Sequence, residues 1–248
     1  MANDRLRDAL LGKGLTPAQL AESLAVDPKT VERWITKNRI PYTKHRHAIA
    51  ALLQESERYL WPDALPPAKV ASVSQSEVVS LYPRRNDVPR EIWDRLLAGA
   101  TDRIEILVYV GMFLTEDPDL IPTLQAKGEA GARIRLLFGD PASKEVVRRS
   151  ADEGIGRNTI SAKIRNALAV FRVLDGVPGV EICCHGTTLY NSIFRYDGEM
   201  IVNPHIFGAL APHAPAIHLR RLSAGELFDS YAESFERVWQ LASPPKWP

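Results

Sequence analysis

The chain has 248 residues, too many for one small helical module and enough for two domains. Its 31 Lys and Arg against 30 Asp and Glu leave a net charge of +1, which excludes a surface coated throughout with positive charge. The only cysteines are neighbours, Cys183 and Cys184, a pairing too strained for a disulfide, so a reduced cytoplasmic protein is expected. No second Cys/His cluster accompanies Cys183, Cys184 and His185, so neither a metal nor another cofactor is expected. Residues 1–11 alternate charge with leucine and no apolar run reaches bilayer length, so neither a signal peptide nor a membrane span is expected.

Taken in order, Asp4 to Leu11 reads as a short helix whose Leu6 and Leu10 face a core. Thr16, Pro17 and Gln19 have the spacing of a capping box with proline in the first helical slot. Leu20 and Leu24 recur at helical spacing up to a break at Ala25-Val26. Asp27 and Pro28 then open a second helix to about Lys37. Val31, Trp34 and Ile35 form its apolar stripe. The 100° turn per residue puts Lys29, Arg33 and Thr36 on the opposite side, flanked by Thr30 and Lys37. Two short helices joined by a tight turn, the second with a basic outer face, predict a helix-turn-helix. Thr43 is expected to cap a further helix carrying Ile49, Leu52 and Leu53.

Charge follows this division. Residues 1–60 hold ten Lys/Arg against seven Asp/Glu, a net of +3, which leaves −2 for the remainder. Between Lys29 and Arg46, six basic residues face one acidic residue, Glu32. A helix fits the major groove of DNA, with its first turn nearest the base edges. Lys29, Thr30 and Arg33 are therefore expected in the groove, with Thr36 and Lys37 as further DNA-binding residues of the same helix. Arg39, Lys44 and Arg46, which follow, are expected on phosphates.

Residues 61–87, rich in proline and small polar residues at their start, read as a linker. From 88 the rhythm changes. A helix to about Ala98 precedes the apolar run Ile104 to Val110, a helix from about Asp117 to Ala130, and a strand from Ala132 to Phe138, together a βαβ unit. Residues 143–172 read as two helical pieces broken near Gly154 to Gly156. Strands are expected at 180–184 and 189–196, with a turn at Asp197-Gly198 into a third through Val202. Ser223 and Glu226 have capping-box spacing before a helix with Leu227, Phe228, Tyr231, Phe235, Val238 and Trp239 on its buried side. The expected fold class is α + α/β, an all-α domain at 1–60 followed by a mixed-sheet α/β domain at 88–248.

Two resemblances add to this reading. LAESLAVDPKTVERWITKNRIP resembles the DNA-binding core of the phage-repressor (XRE) class of bacterial regulators, through Leu20-Ala21, Val26, Val31, Arg33-Trp34 and Pro41. That resemblance implies a second helix that reads an operator and a protein that binds as a dimer. The glycine usual after that helix is replaced by Lys37-Asn38, and asparagine tolerates the left-handed turn. YNSIFRYDGEMIVN (190–203), with FERVW near the end, resembles the phospholipase D superfamily, whose half-site is written His-x-Lys-x-x-x-x-Asp. Aligning Asp197-Gly198 places Tyr190 at the His position and Ser192 at the Lys position. A phenol ionises only near about pH 10 and serine carries no cation, so a protein that is not an enzyme is expected. Its cleft would persist, with Tyr190, Asn191, Ser192 and Asp197 binding a ligand.

The expected function is therefore a DNA-binding transcriptional regulator. It would read a palindromic operator on double-stranded DNA as a homodimer, with a small-molecule effector on the C-terminal domain and no membrane partner. The alternatives are a DNA-directed phosphodiesterase or nuclease, and a protein-interaction module.

Overall fold

The computed structural model describes residues 2–62, 64, 67–223 and 225–247. They form two units, one of residues 1–77 with 221–229, the other of residues 78–220 with 230–248.

In the first unit, α1 (Asp4–Gly12), α2 (Pro17–Ser23), α3 (Pro28–Thr36), α4 (Thr43–Leu53), α5 (Glu57–Leu60) and α6 (Pro67–Ser76) follow in order. The cap at Thr16 forms with both halves of its box, and the Asp27 side chain accepts from the Lys29 amide at 2.8 Å. Ala25, at φ +51, makes the left-handed turn between α2 and α3, and Asn38, at φ +45, makes the one after α3. Leu6, Leu10, Leu20, Val31, Trp34 and Ile49 join in one core. Each fully buried side chain of this kind contributes about 1.5–3 kcal/mol.

Three expectations are corrected here. Thr43 is the first residue of α4 and not its cap, which falls on Tyr42 without a side-chain bond. Leu52 is 42% exposed, since it sits one position off the stripe of Ile49 and Leu53. The expected linker at 61–87 holds α6 and the strand β1 (Val78–Tyr82). Proline at the first helical position loses no hydrogen bond, so Pro67 starts a helix inside the stretch that reads as a linker. Asp63, Leu65 and Pro66 of that stretch lie outside the described residues.

The second unit continues with α7 (Arg90–Gly99), β2 (Arg103–Leu107), α8 (Leu120–Glu129), β3 (Arg133–Gly139), α9 (Lys144–Asp152), α10 (Thr159–Phe171), β4 (Val180–His185), β5 (Asn191–Tyr196), β6 (Glu199–Pro204) and β7 (Ala216–Arg220). The seven strands lie in the order β1-β7-β6-β5-β2-β3-β4. β2, β3 and β4 are parallel, whereas β5 runs antiparallel to β2 and to β6. The fold class is thus a helical unit followed by an α/β unit on a mixed sheet. Gly179 (φ +75) permits the turn into β4, because a Cβ there would lie 2.5 Å from the Ala132 carbonyl oxygen.

The last helix, α11 (Leu227–Trp239), starts later than the Ser223–Glu226 spacing predicts. The Leu227 amide donates to Glu77 Oε2 at 2.8 Å. A buried carboxylate from 150 residues earlier in the chain therefore supplies the negative charge that a helix N-terminus favours. Among the described residues, no helix is long and apolar enough to cross a membrane.

Candidate functional site

α3 divides its side chains sharply. Val31, Trp34 and Ile35 are buried, while Lys29, Arg33, Thr36, Lys37, Arg39 and Lys44 on or after it are exposed and Thr30 is half-buried. The five cations in this set form no ion pair among the described residues. Thr36 Oγ1 donates to the Glu32 carbonyl at 2.7 Å, so its hydroxyl proton is committed to its own helix.

Arg46 corrects the expectation of a phosphate contact. It is 7% exposed, with Nε on Glu57 Oε2 at 3.0 Å, Nη1 on the Pro41 carbonyl at 2.9 Å and Nη2 on Thr43 Oγ1 at 3.2 Å. The other Glu57 oxygen faces His47 Nδ1. The reason is visible in the spacing. Arg46, Ile49, Ala50 and Leu53 stand at i, i+3, i+4 and i+7, so the guanidinium lies on the core face of α4.

The second unit holds a cavity of about 240 Å³ beyond the carboxyl end of β2. Because β5 is antiparallel to β2, the start of β5 and the end of β6 arrive at the same edge. This brings Ser192 and His205 beside Tyr109, with Arg85, Arg149 and Lys163 around them. Ser192 Oγ lies 3.0 Å from His205 Nε2, and His205 Nδ1 lies 3.2 Å from the Leu189 carbonyl oxygen. A carbonyl only accepts, so Nδ1 carries the proton and Nε2 accepts from the serine hydroxyl. The Tyr109 ring stacks on His205 at 5.8 Å, and its hydroxyl accepts from the Leu189 amide at 2.9 Å. Deeper in, His185 Nε2 meets the Val108 carbonyl at 3.2 Å.

Burial pushes both imidazoles down to about 4 from the ordinary 6.5, and for His205 the charges of Arg149 and Arg85 act in the same direction. The folded value lies below the unfolded one, so the unfolded chain takes the proton first. Stabilisation by the neutral rings is complete above about pH 6.5 and is withdrawn as pH falls toward 4, at up to about 1.4 kcal/mol per unit per ring. Urea midpoints measured down this range should fall, and fall less steeply in His205→Gln, which cannot titrate. An unchanged slope in that variant refutes the assignment.

The four ligand residues expected from the sequence do not come together. Ser192 faces the cavity just described. Tyr190, 82% exposed, and Asn191 line a different one of about 360 Å³, with Arg237 and Leu241. Asp197 lines neither, and stands at the far end of β5, roughly 17 Å from Ser192 at about 3.3 Å per residue. There it accepts the amides of Thr101 at 2.9 Å, Asp102 at 3.0 Å and Arg103 at 2.6 Å. Burial raises its carboxyl, but these amides outweigh burial and hold it below the usual range. Asp197 thus braces the β5–β6 turn against the start of β2. Sequence reasoning missed Arg85, Tyr109, Arg149 and His205, which are scattered over 120 positions and meet only through the strand order.

A family model described as a domain of unknown function (DUF5919) matches residues 74–245. No curated protein sequence matches the chain. Similar solved structures include TrmBL2, described as an archaeal chromatin protein with a novel mode of DNA binding, at 12% identity and TM-score 0.42 over 81% of this chain and 62% of that one. This chain thus spans less than two thirds of the length of TrmBL2. Nuc from Salmonella typhimurium, a phospholipase D family member, is similar at 14% identity and TM-score 0.36, over 62% of this chain and 88% of that one. NucT from Helicobacter pylori is similar at 11% identity and TM-score 0.41, over 66% and 97%. The expectation of a protein that is not an enzyme is corrected by this finding. Nuc, a phospholipase D family member, and NucT are similar in structure to this chain.

Proposed function

Because the chain belongs to the family of the domain of unknown function DUF5919, we propose its role from its own surfaces: it is a DNA-binding transcriptional regulator of the phage-repressor type. α3 reads a palindromic operator on double-stranded DNA, as one of two recognition helices in a homodimer, and the α/β unit dimerises and binds an effector. One observation carries this reading. The outer face of α3 presents Lys29, Arg33 and Lys37 to solvent without ion pairs among the described residues, while its inner face is anchored in the core. Such cations lose little on meeting phosphate and release counterions when they do. Lys29, Thr30 and Arg33 face base edges, Thr36 and Lys37 flank them, and Arg39 and Lys44 hold phosphates.

The test is a footprint. A discrete palindromic site is expected, with affinity falling steeply as salt rises. Arg33→Ala should cost about 1–3 kcal/mol and relax sequence preference, whereas Lys44→Ala should reduce the salt slope by about 1. Equal affinity for scrambled duplex, unaltered by either change, refutes the reading.

A second reading, a DNA-directed phosphodiesterase, is favoured by one contact, the Ser192 hydroxyl donating to neutral His205 Nε2 at 3.0 Å. A serine paired with an oriented imidazole is the arrangement that activates an oxygen nucleophile. Hydrolysis of bis-p-nitrophenyl phosphate that disappears in Ser192→Ala would support it. Hydrolysis unchanged in that variant would exclude Ser192 as the nucleophile.

A further inference from the structure

The cavity beside Ser192 is unevenly charged. Arg85, Arg149 and Lys163 line it with two carboxylates, Glu116 and Glu153. Glu153 is taken up by Arg149 at 2.6 Å, and Arg149 also donates to the Ala209 carbonyl at 3.1 Å. Arg85 is different. It is 8% exposed and forms no ion pair among the described residues. Its guanidinium lies 4.0 Å from the Phe113 ring centre, and its own amide is fixed to the Ala214 carbonyl at 2.8 Å. The Phe113 contact orients the cation without neutralising it. A buried guanidinium lacking a carboxylate is costly to the fold, and an arriving anion removes that cost. Glu116 lines the rim but is exposed, so solvent screens it.

We infer that this cavity is a binding site for a small organic anion, a phosphomonoester or a carboxylate, with its charged head against Arg85 and Lys163 and its apolar body on Phe113, Ile155 and Leu210. Size sets the class. About 240 Å³ is below the roughly 300–1,000 Å³ of pockets for drug-sized ligands, so the occupant is a small metabolite. Burial keeps His205 uncharged, and the charges of Arg149 and Arg85, which add to that effect, are the positive potential an anion would meet. Arg85 offers a planar fork of donors suited to either a phosphate or a carboxylate. The inference deepens the effector half of the proposed function and rests on that reading only for its consequence at DNA.

The test uses the full chain without DNA. Glycerol 3-phosphate and butyrate are titrated calorimetrically in a buffer of weakly binding anions, alongside thermal melts. Saturable binding of one of them, with a raised melting midpoint, is expected, and the better ligand decides between phosphate and carboxylate. Arg85→Met should weaken binding about tenfold or more while leaving the ligand-free midpoint unchanged or higher, because it removes an uncompensated buried charge. Lys163→Ala, on an exposed side chain, should weaken it several-fold with the fold intact. No saturable binding of either probe, or wild-type binding in both variants, overturns the inference. Binding that leaves operator affinity unchanged upholds the site and removes its effector role, so the two readings fail separately.

Discussion

Glu57→Ala is expected to destabilise the helical unit by about 3–5 kcal/mol, the cost of stranding one member of a buried ion pair. Glu57 is 2% exposed and Arg46 7%, and the pair is closed at 3.0 Å. With Glu57 gone, the guanidinium keeps only the Pro41 carbonyl and the Thr43 hydroxyl, neither of which carries charge. The Arg7–Asp4 pair, with side chains 47% and 70% exposed, sets the contrast, since exposed pairs contribute about 0–1 kcal/mol. Urea melts followed by the fluorescence of Trp34 and Trp61, both buried in this core, measure the difference. The double variant Arg46→Met/Glu57→Leu should return to within about 1–2 kcal/mol of the parent, because apolar groups of similar volume replace a buried pair at little cost. It should also keep the parent's salt slope on DNA, since Arg46 makes no phosphate contact. A loss below 1 kcal/mol in Glu57→Ala would show that water reaches Arg46 and that its burial is incomplete.

The parts of this fold that could be read in advance are those decided by neighbours in the chain. The Thr16 and Asp27 caps, the stripe of Val31, Trp34 and Ile35, and the βαβ segment around 104–138 each follow from spacings of two to four residues. β1 and β7 did not announce themselves. VVSLY is an edge strand with Val79 and Leu81 exposed, so its alternation has no buried face to reveal it, and it pairs with a strand nearly 140 residues later. The carboxylate at the start of α11 is hidden in the same way, since Glu77 reaches the Leu227 amide through tertiary structure alone. The cavity was the least visible feature. The motif around 190–197 drew attention to Tyr190 and Asp197, yet strand alternation and length send them away from Ser192. The groups that meet Ser192 come from the turn after β1, from α9 and α10, and from the end of β6.

Glu105→Ala is expected to cost the α/β unit about 3–5 kcal/mol, because buried Arg135 loses its buried partner and keeps only the half-exposed Glu236. The run Ile104 to Val110 reads as apolar, but Glu105 within it is fully buried. Register explains how a carboxylate is tolerated there. On β2, Glu105 stands opposite Arg135 on β3 and Arg195 on β5, so three adjacent strands carry a row Arg–Glu–Arg. Arg195 Nη1 donates to Glu105 Oε2 at 2.9 Å, and Arg135 Nε donates to Oε1 at 3.1 Å with a second, closer bond from Nη2. Arg135 also binds Glu236 of α11, Nη1 to Oε2 at 2.9 Å, and lies over the Phe235 and Trp239 rings at 4.8 and 5.1 Å. Two carboxylates thus hold one guanidinium, and exposure decides which matters. The Glu236 side chain is 43% exposed and that of Glu105 1%. Glu236→Ala should therefore cost only about 0–1 kcal/mol, since Arg135 keeps its buried partner and water replaces the lost one. Urea melts of the two variants, followed by Trp93 and Trp239 fluorescence, should differ several-fold in lost stability. Equal losses would mean that α11, rather than the row across the strands, holds Arg135 in place.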